Sequence, residues 1–352
     1  MFFKHPQRPI TDRSRVARTA VALVAAAGLA LSITSCTAGG GQTETDNAAA
    51  NSGSADGVTI AVMGGMTSDP FWSIVKAGAE AAAESVRAAG GDVTFVAMPD
   101  YKNFNPDAAK LVGNILAQKP SAAVIPDWAP DAQNPNIQAL TDADIPVVLY
   151  NNGVDQVETV GALSFVGSDN REAGAAAGEQ FVEAGAKHAL CINIFPGQAI
   201  GEMYCGGFKE AVEAGGAMAS ELGLPSTQYG DPTAITQAIK AALQNDPTID
   251  ALHTISAPDA TNAAAAVEQA GLTGKILIGG QDYDKAALER ITDGSQLFAI
   301  DQQGYAQGYY AVSQAFQYAA YGIEMPSMAT GPVVIDESNA ATVAEAVNQG
   351  VR

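Results

Sequence analysis

The sequence predicts an α/β fold made of two doubly wound parallel-sheet lobes, and three observations predict it. Short β-branched runs alternate with Ala-rich segments of helical periodicity. The alternation restarts near the middle of the chain. The stretch from Val58 to Arg352 is about 295 residues, enough for two lobes of ordinary size. Strand–helix–strand repetition implies a parallel sheet with helices on both faces.

In the first half, strands are expected at Val58–Met63, Val93–Ala97, Ala122–Pro126 and Pro146–Tyr150, with helices at Phe71–Ala89, Asp107–Gln118 and Asn136–Ala143. In the second, strands at Ala162–Val166, Ala189–Ile194, Ala251–Ile255 and Lys275–Ile278 alternate with helices at Arg171–Ala184, Glu202–Ala214, Ala234–Gln244 and Asp259–Ala270. Asp69-Pro70, Asn105-Pro106-Asp107 and Asp231-Pro232-Thr233 are helix starts, because proline suits the first turn and an acidic side chain caps it. Gly90-Gly91, Gly185 and Gly271 are helix ends. No internal repeat is strong enough to imply duplication.

Residues 1–36 carry Lys4, Arg8, Arg13, Arg15 and Arg18 ahead of an uncharged run from Ala20 to Ile33. That order marks a secretion signal, and 14 apolar residues fall short of the roughly 20 a membrane-spanning helix needs. Ile33-Thr34-Ser35-Cys36 resembles the lipobox of bacterial lipoproteins, in which the cysteine is lipidated. Residues 37–57 have no large apolar side chain and are expected to form a flexible tether. A soluble domain held by a lipid anchor at the outer face of the cell membrane follows.

Without the leader's five basic residues and Asp12, the chain's 18 basic and 38 acidic residues become 13 and 37, a net charge of −24. Such a surface repels nucleic acid and anionic lipid. Cys191 and Cys205 are the pair left once Cys36 is assigned, and in an oxidising compartment a bridge is expected in preference to two buried thiols. The spacing is that of a structural staple, not of Cys-x-x-Cys.

Catalytic signatures are missing. His5 lies in the leader, and His188 and His253 sit at strand starts or inside strands. There is no zinc spacing, nucleophile elbow, P-loop or dinucleotide fingerprint, so no metal, cofactor or enzyme activity is indicated. Ligands of open parallel sheets bind beyond the carboxyl ends of the strands. The residues there are Asp69, Phe71 and Trp72; Asp127 and Trp128; Tyr150 and Asn151; Glu202; Ser256, Pro258 and Asp259; Gln281 and Asp282; and Gln302. Aromatic rings stack on the C–H faces of a sugar or polyol, while carboxylates and amides bond its hydroxyls. Asp169 and Asn170 are expected to cap a helix rather than bind a ligand.

Four segments resemble the type I periplasmic sugar-binding proteins, the solute receptors of ABC importers typified by the ribose-binding protein. They are Asp69-Pro70-Phe71-Trp72, Gly167-Ser168-Asp169-Asn170 with Gly174 and Gly178, Ser256-Ala257-Pro258-Asp259-Ala260, and Ile300-Asp301-Gln302-Gln303 with Gln307-Gly308-Tyr309. Thr330-Gly331-Pro332-Val333 resembles the family's third crossing between lobes. The resemblance implies a three-strand hinge joining residues 58–167 plus 303–331 to residues 168–302 plus 332–352. It also implies a monosaccharide or sugar alcohol held in the inter-lobe cleft and delivered to permease and ATPase subunits. Departures weigh against ribose itself. Tyr150-Asn151 stands in place of Asp-Arg, Glu202 with Tyr204 in place of an arginine, and Gln281-Asp282 in place of an aspartate after Gly279-Gly280. The alternatives are a nucleoside or furanosyl signal molecule on the same fold, or a sensory sugar receptor feeding no transporter. A LacI-type regulator is disfavoured by the leader and by the lack of a helix-turn-helix before Val58. The protein is expected to be a monomer.

Overall fold

The structure, a computed structural model, describes residues 54–352; the expected signal peptide, Cys36 and most of the tether lie outside the described residues. The end of the expected tether is not a leash. Ala55 is buried, and the Gly57 N–H donates to the Gly90 carbonyl at 3.0 Å, so ordered structure begins before Val58.

The first sheet contains β1 (Thr59–Gly64), β2 (Asp92–Ala97), β3 (Ala122–Ile125), β4 (Val147–Tyr150), β5 (Ser164–Gly167) and a late strand, β11 (Met328–Ala329). They lie in the order β11-β5-β4-β3-β1-β2, all parallel. The second sheet contains β6 (His188–Asn193), β7 (Met218–Gly223), β8 (Ala251–Thr254), β9 (Leu277–Gln281), β10 (Phe298–Asp301) and β12 (Val333–Ile335). Its order is β12-β10-β9-β8-β6-β7, with β12 antiparallel to β10 at one edge. Burial follows from the parallel pairing: β3, β4, β5, β6, β8 and β10 are buried at every position.

The connecting helices are α1 (Pro70–Ala88), α2 (Phe104–Gln118), α3 (Pro130–Asp142), the single turn α4 (Val157–Val160), α5 (Asn170–Glu183), α6 (Ala199–Ala214), α7 (Pro232–Asn245), α8 (Ala257–Gln269) and α9 (Lys285–Thr292). Then α10 (Gly304–Tyr321) packs into the core of the first sheet, and α11 (Ala340–Asn348) packs beside α9. The chain therefore passes between the sheets three times: after β5, between β10 and α10, and between β11 and β12. The second and third passages are tied together, since Gln303 Nε2 donates to the Thr330 carbonyl and Thr330 Oγ1 donates to the Gln302 carbonyl at 2.8 Å.

Several elements differ from the sequence pattern. β7 reads Met-Ala-Ser-Glu-Leu-Gly, too polar to announce a strand, yet it pairs along its length with β6 and is half-exposed as an edge. Lys209 and Asn193 hold its Glu221 at 2.6 and 2.8 Å. β9 starts at Leu277 and takes in Gly279-Gly280 because the Phe298 ring occupies the space where a Gly279 Cβ would stand. α3 starts at Pro130 rather than Asn136 and runs through Pro135.

Each sheet carries one closely packed helix pair, α1 with α10 and α5 with α6. Glycine permits both. A Cβ on Gly308 would lie 2.1 Å from the Val75 carbonyl oxygen, and one on Gly174 would lie 2.0 Å from that of Tyr204. Cys191 on β6 and Cys205 on α6 are disulfide-bonded with Cα atoms 5.8 Å apart, which fixes α6 over its own strand. Because neither backbone can give way cheaply, Gly174→Ala should destabilise the protein by about 1–3 kcal/mol. Urea denaturation of wild type and variant checks this.

Candidate ligand-binding cleft

The carboxyl ends of both sheets face a cleft that offers about 100 Å³ to the centres of water-sized groups. α1 brings three residues to it. Asp69 caps the helix, its Oδ1 accepting from the Phe71 N–H at 3.0 Å, and the Tyr101 hydroxyl sits beside its Oδ2. Burial pushes the Asp69 carboxyl above its usual range, against the pull of that N–H. Phe71 is half-buried, while Trp72 is buried edge-on against Phe71, Trp128 and Tyr150 at centroid distances of 5.1, 5.3 and 6.1 Å. Gly65 admits this arrangement, since a Cβ there would lie 2.3 Å from Trp72 Nε1 and 2.5 Å from the Tyr101 hydroxyl.

The polar floor is one hydrogen-bonded series. Trp128 Nε1 donates to Asn151 Oδ1 at 3.1 Å, and Asn151 Nδ2 donates to Gln302 Oε1 at 3.0 Å and to Gln307 Oε1 at 3.2 Å. Gln302 Nε2 then donates to both oxygens of Asp282, at 3.1 and 3.2 Å. Asn151 and Asp282 both have left-handed backbones, with φ of 64° and 59°. Asx side chains tolerate that conformation better than most. Desolvation raises the Asp282 carboxyl well above its usual range, opposed by Gln302. On the far side, the Tyr204 hydroxyl donates to Gln281 Oε1. The Tyr204 ring lies parallel to that of His253 at 5.5 Å, and His253 in turn lies on Phe208 at 5.2 Å. His253 is fully buried, and burial depresses its imidazole to about 3, so this histidine serves as a neutral core ring.

Ten of the residues expected from sequence line the cleft: Asp69, Phe71, Trp72, Trp128, Asn151, Ser256, Pro258, Gln281, Asp282 and Gln302. Four do not. Tyr150 points into the core, its hydroxyl donating to the Met63 carbonyl at 2.5 Å. Asp259 is taken up by its own helix start, where Ser256 Oγ donates to it at 2.6 Å and accepts from its N–H. Glu202 lies on the exposed face of α6 and accepts from the Gly197 N–H. Asp127 is buried just outside the cleft wall. Asp169 caps α5, whereas Asn170 reaches the cleft and donates to Asn152 Oδ1.

The rim is built from residues outside the set expected from sequence. Tyr101 from the β2–α2 loop and Phe104 at the start of α2 meet Tyr229 and Phe195 from the loops after β7 and β6, with Tyr101–Tyr229 at 5.2 Å and Phe104–Phe195 at 5.9 Å. These four rings line the cleft where the two halves touch. Applying the strand-end rule after β2 finds Tyr101 and Phe104; Tyr229 follows the polar strand β7, which gave no signal. Among the described residues, neither lysine nor arginine lines the cleft. Among the described residues no cluster of three or more His, Cys, Asp or Glu is placed to hold a metal ion.

Residues 60–323 match the family described as periplasmic binding protein domain. The chain belongs to that family. A carbohydrate transporter from Acidothermus cellulolyticus 11B, crystallised in complex with myo-inositol, is 32% identical with a TM-score of 0.75, over 84% of this chain and 100% of that one. A glucose-galactose binding protein, GanP, from Geobacillus stearothermophilus shares the fold at 23% identity and a TM-score of 0.71, over 81% and 99%. So does a solute binding protein from Bacillus halodurans C-125 with bound myo-inositol, at 19% identity and a TM-score of 0.71, over 83% and 99%. No curated protein matches the chain.

The carboxyls have a consequence for stability. Asp127 has neither oxygen hydrogen-bonded, and burial, with Asp155 nearby, raises it to about 7 from 3.8. Between those values the folded state binds a proton that the unfolded state has released, so stability falls as pH rises from about 4 to about 7. Asp69, Asp259, Asp282 and Asp301 are shifted in the same direction. The unliganded protein should therefore melt at a higher temperature at about pH 5.5 than at about pH 8, and Asp127→Asn should narrow the difference; scanning calorimetry at both pH values measures it.

Proposed function

We propose that this protein is an extracytoplasmic solute receptor of an ABC importer that binds a neutral monosaccharide or sugar alcohol. The observation that carries the proposal is the cleft wall, which combines aromatic faces with carboxylates and amides and, among the described residues, has no lysine or arginine. A ring with several hydroxyls offers C–H faces to Phe71 and Trp128, and its hydroxyls donate to Asp69 and Asp282 and exchange bonds with Asn151, Gln281 and Gln302. An anionic solute finds no counter-charge there and meets carboxylates instead. The myo-inositol bound to the Acidothermus relative belongs to this chemical class.

The mechanism is closure about the three passages between sheets. Residues 58–167 with 303–331 form one lobe, and residues 168–302 with 332–352 form the other. Asp69, Phe71, Trp128 and Asn151 sit on the first lobe; Ser256, Gln281 and Asp282 sit on the second, with Gln302 at the passage itself. A solute bonded to both sides stabilises the closed form by its differential affinity for it, and a permease recognises that form. Lipidation at Cys36 and the tether would keep the domain beside the permease.

A thermal-shift panel of pentoses, hexoses, inositols, linear polyols, nucleosides and amino acids tests the ligand class. The expected outcome is a stereoselective stabilisation by one sugar or polyol, about 2.7 kcal/mol at a hundredfold excess over Kd. Asp282→Asn and Phe71→Ala should each weaken that ligand by roughly tenfold or more, corresponding to about 1.4 kcal/mol. Response to nucleosides or amino acids alone contradicts the proposal.

A further inference from the structure

A second, smaller chamber adjoins the cleft. Trp128, Asn151, Asn152, Asn170 and Ile200 line both spaces, so the two lie side by side with these side chains as their common boundary. Besides the exposed Asp155, the chamber's own polar side chains are Asp127, two residues past β3, and Ser168, where the chain first leaves the first sheet. Asp127 and Ser168 are each 2% exposed. Asp127 Oδ1, Asp127 Oδ2 and Ser168 Oγ have no hydrogen-bond partner. Ile200 and Met203 of α6, from the second half, close the opposite side.

A buried carboxylate without donors is costly, so a working state of this site should supply them. The space offers about 30 Å³ to the centres of water-sized groups. One such group needs about 10–15 Å³, so two fit, as do the carbon and heteroatom of a one-carbon arm. We propose that this chamber is a subsite for an exocyclic hydroxymethyl arm on the ring held in the cleft. The arm donates to Asp127 and exchanges a hydrogen bond with Ser168. This assignment rests on the cleft binding a polyhydroxylated ring, and it narrows the ligand to rings that carry such an arm.

Titration calorimetry with ring pairs that differ only in the arm tests it: D-glucose against D-xylose and D-galactose against L-arabinose, with myo-inositol as a ring without an arm. The expected result is that in one pair the ring with the arm binds at least about tenfold more tightly. Asp127→Asn and Ser168→Ala should each reduce that ratio and leave the affinity for the partner without the arm unchanged. Ser168→Ala is the check that the fold is intact, read as an unaltered melting temperature. Equal affinities within every pair, binding of myo-inositol with no ring that carries an arm, or variants that weaken both members alike would overturn the subsite. Failure of every ring and polyol to bind would instead overturn the proposed function beneath it.

Discussion

The series from Trp128 through Asn151 and Gln302 to Asp282 is the constraint on which the cleft depends. Each member donates to the next, so one amide orientation fixes the others. The series begins on the strand ends of the first sheet and finishes on the second, passing through the residue at which the chain recrosses. Gln307, one turn into α10, holds the centre by donating to the Gln302 carbonyl at 2.8 Å. A shift of the lobes must stretch or break this series, and a solute bonded to Asp282 and Asn151 would reinforce it.

Around this polar floor the structure places groups that resist movement. Asp301, beside Gln302, is buried and accepts from Arg352 at 2.9 and 2.6 Å, while its other oxygen accepts from the Gln303 N–H at 2.6 Å. The disulfide and the stacked Tyr204, His253 and Phe208 rings fix α6 and hence Gln281's partner. The carboxylates nearest the cleft are all displaced towards their neutral forms by burial.

Much of this was legible in the sequence. Alternating β-branched and Ala-rich segments, with Asp-Pro helix starts, gave the strand–helix rhythm and so placed Asp69, Phe71, Trp128, Asn151, Asp282 and Gln302 at strand ends. What was not legible depends on direction rather than position. Tyr150 ends β4 with its side chain in the core, and the left-handed turn of the backbone at Asn151 brings the next side chain to the cleft. Asp259 and Glu202 are in the first turns of their helices, where one is used as a cap partner and the other faces solvent. β7 was missed because an edge strand needs no apolar pattern when a buried neighbour supplies its pairing, and Tyr229 went with it. Asp127 follows a strand end, but nothing in the sequence marks it as buried outside the cleft wall with neither oxygen hydrogen-bonded.

A crystal structure of the complex with the sugar or polyol that binds is the most direct test of the account. The prediction is a single ring in the cleft beside Phe71 and Trp128, with ring hydroxyls within about 3.2 Å of Asp282 and of Asn151 or Gln302, so that one solute bonds both lobes. A solute bound elsewhere, or held by one lobe with the Asn151–Gln302–Asp282 series untouched, would contradict it.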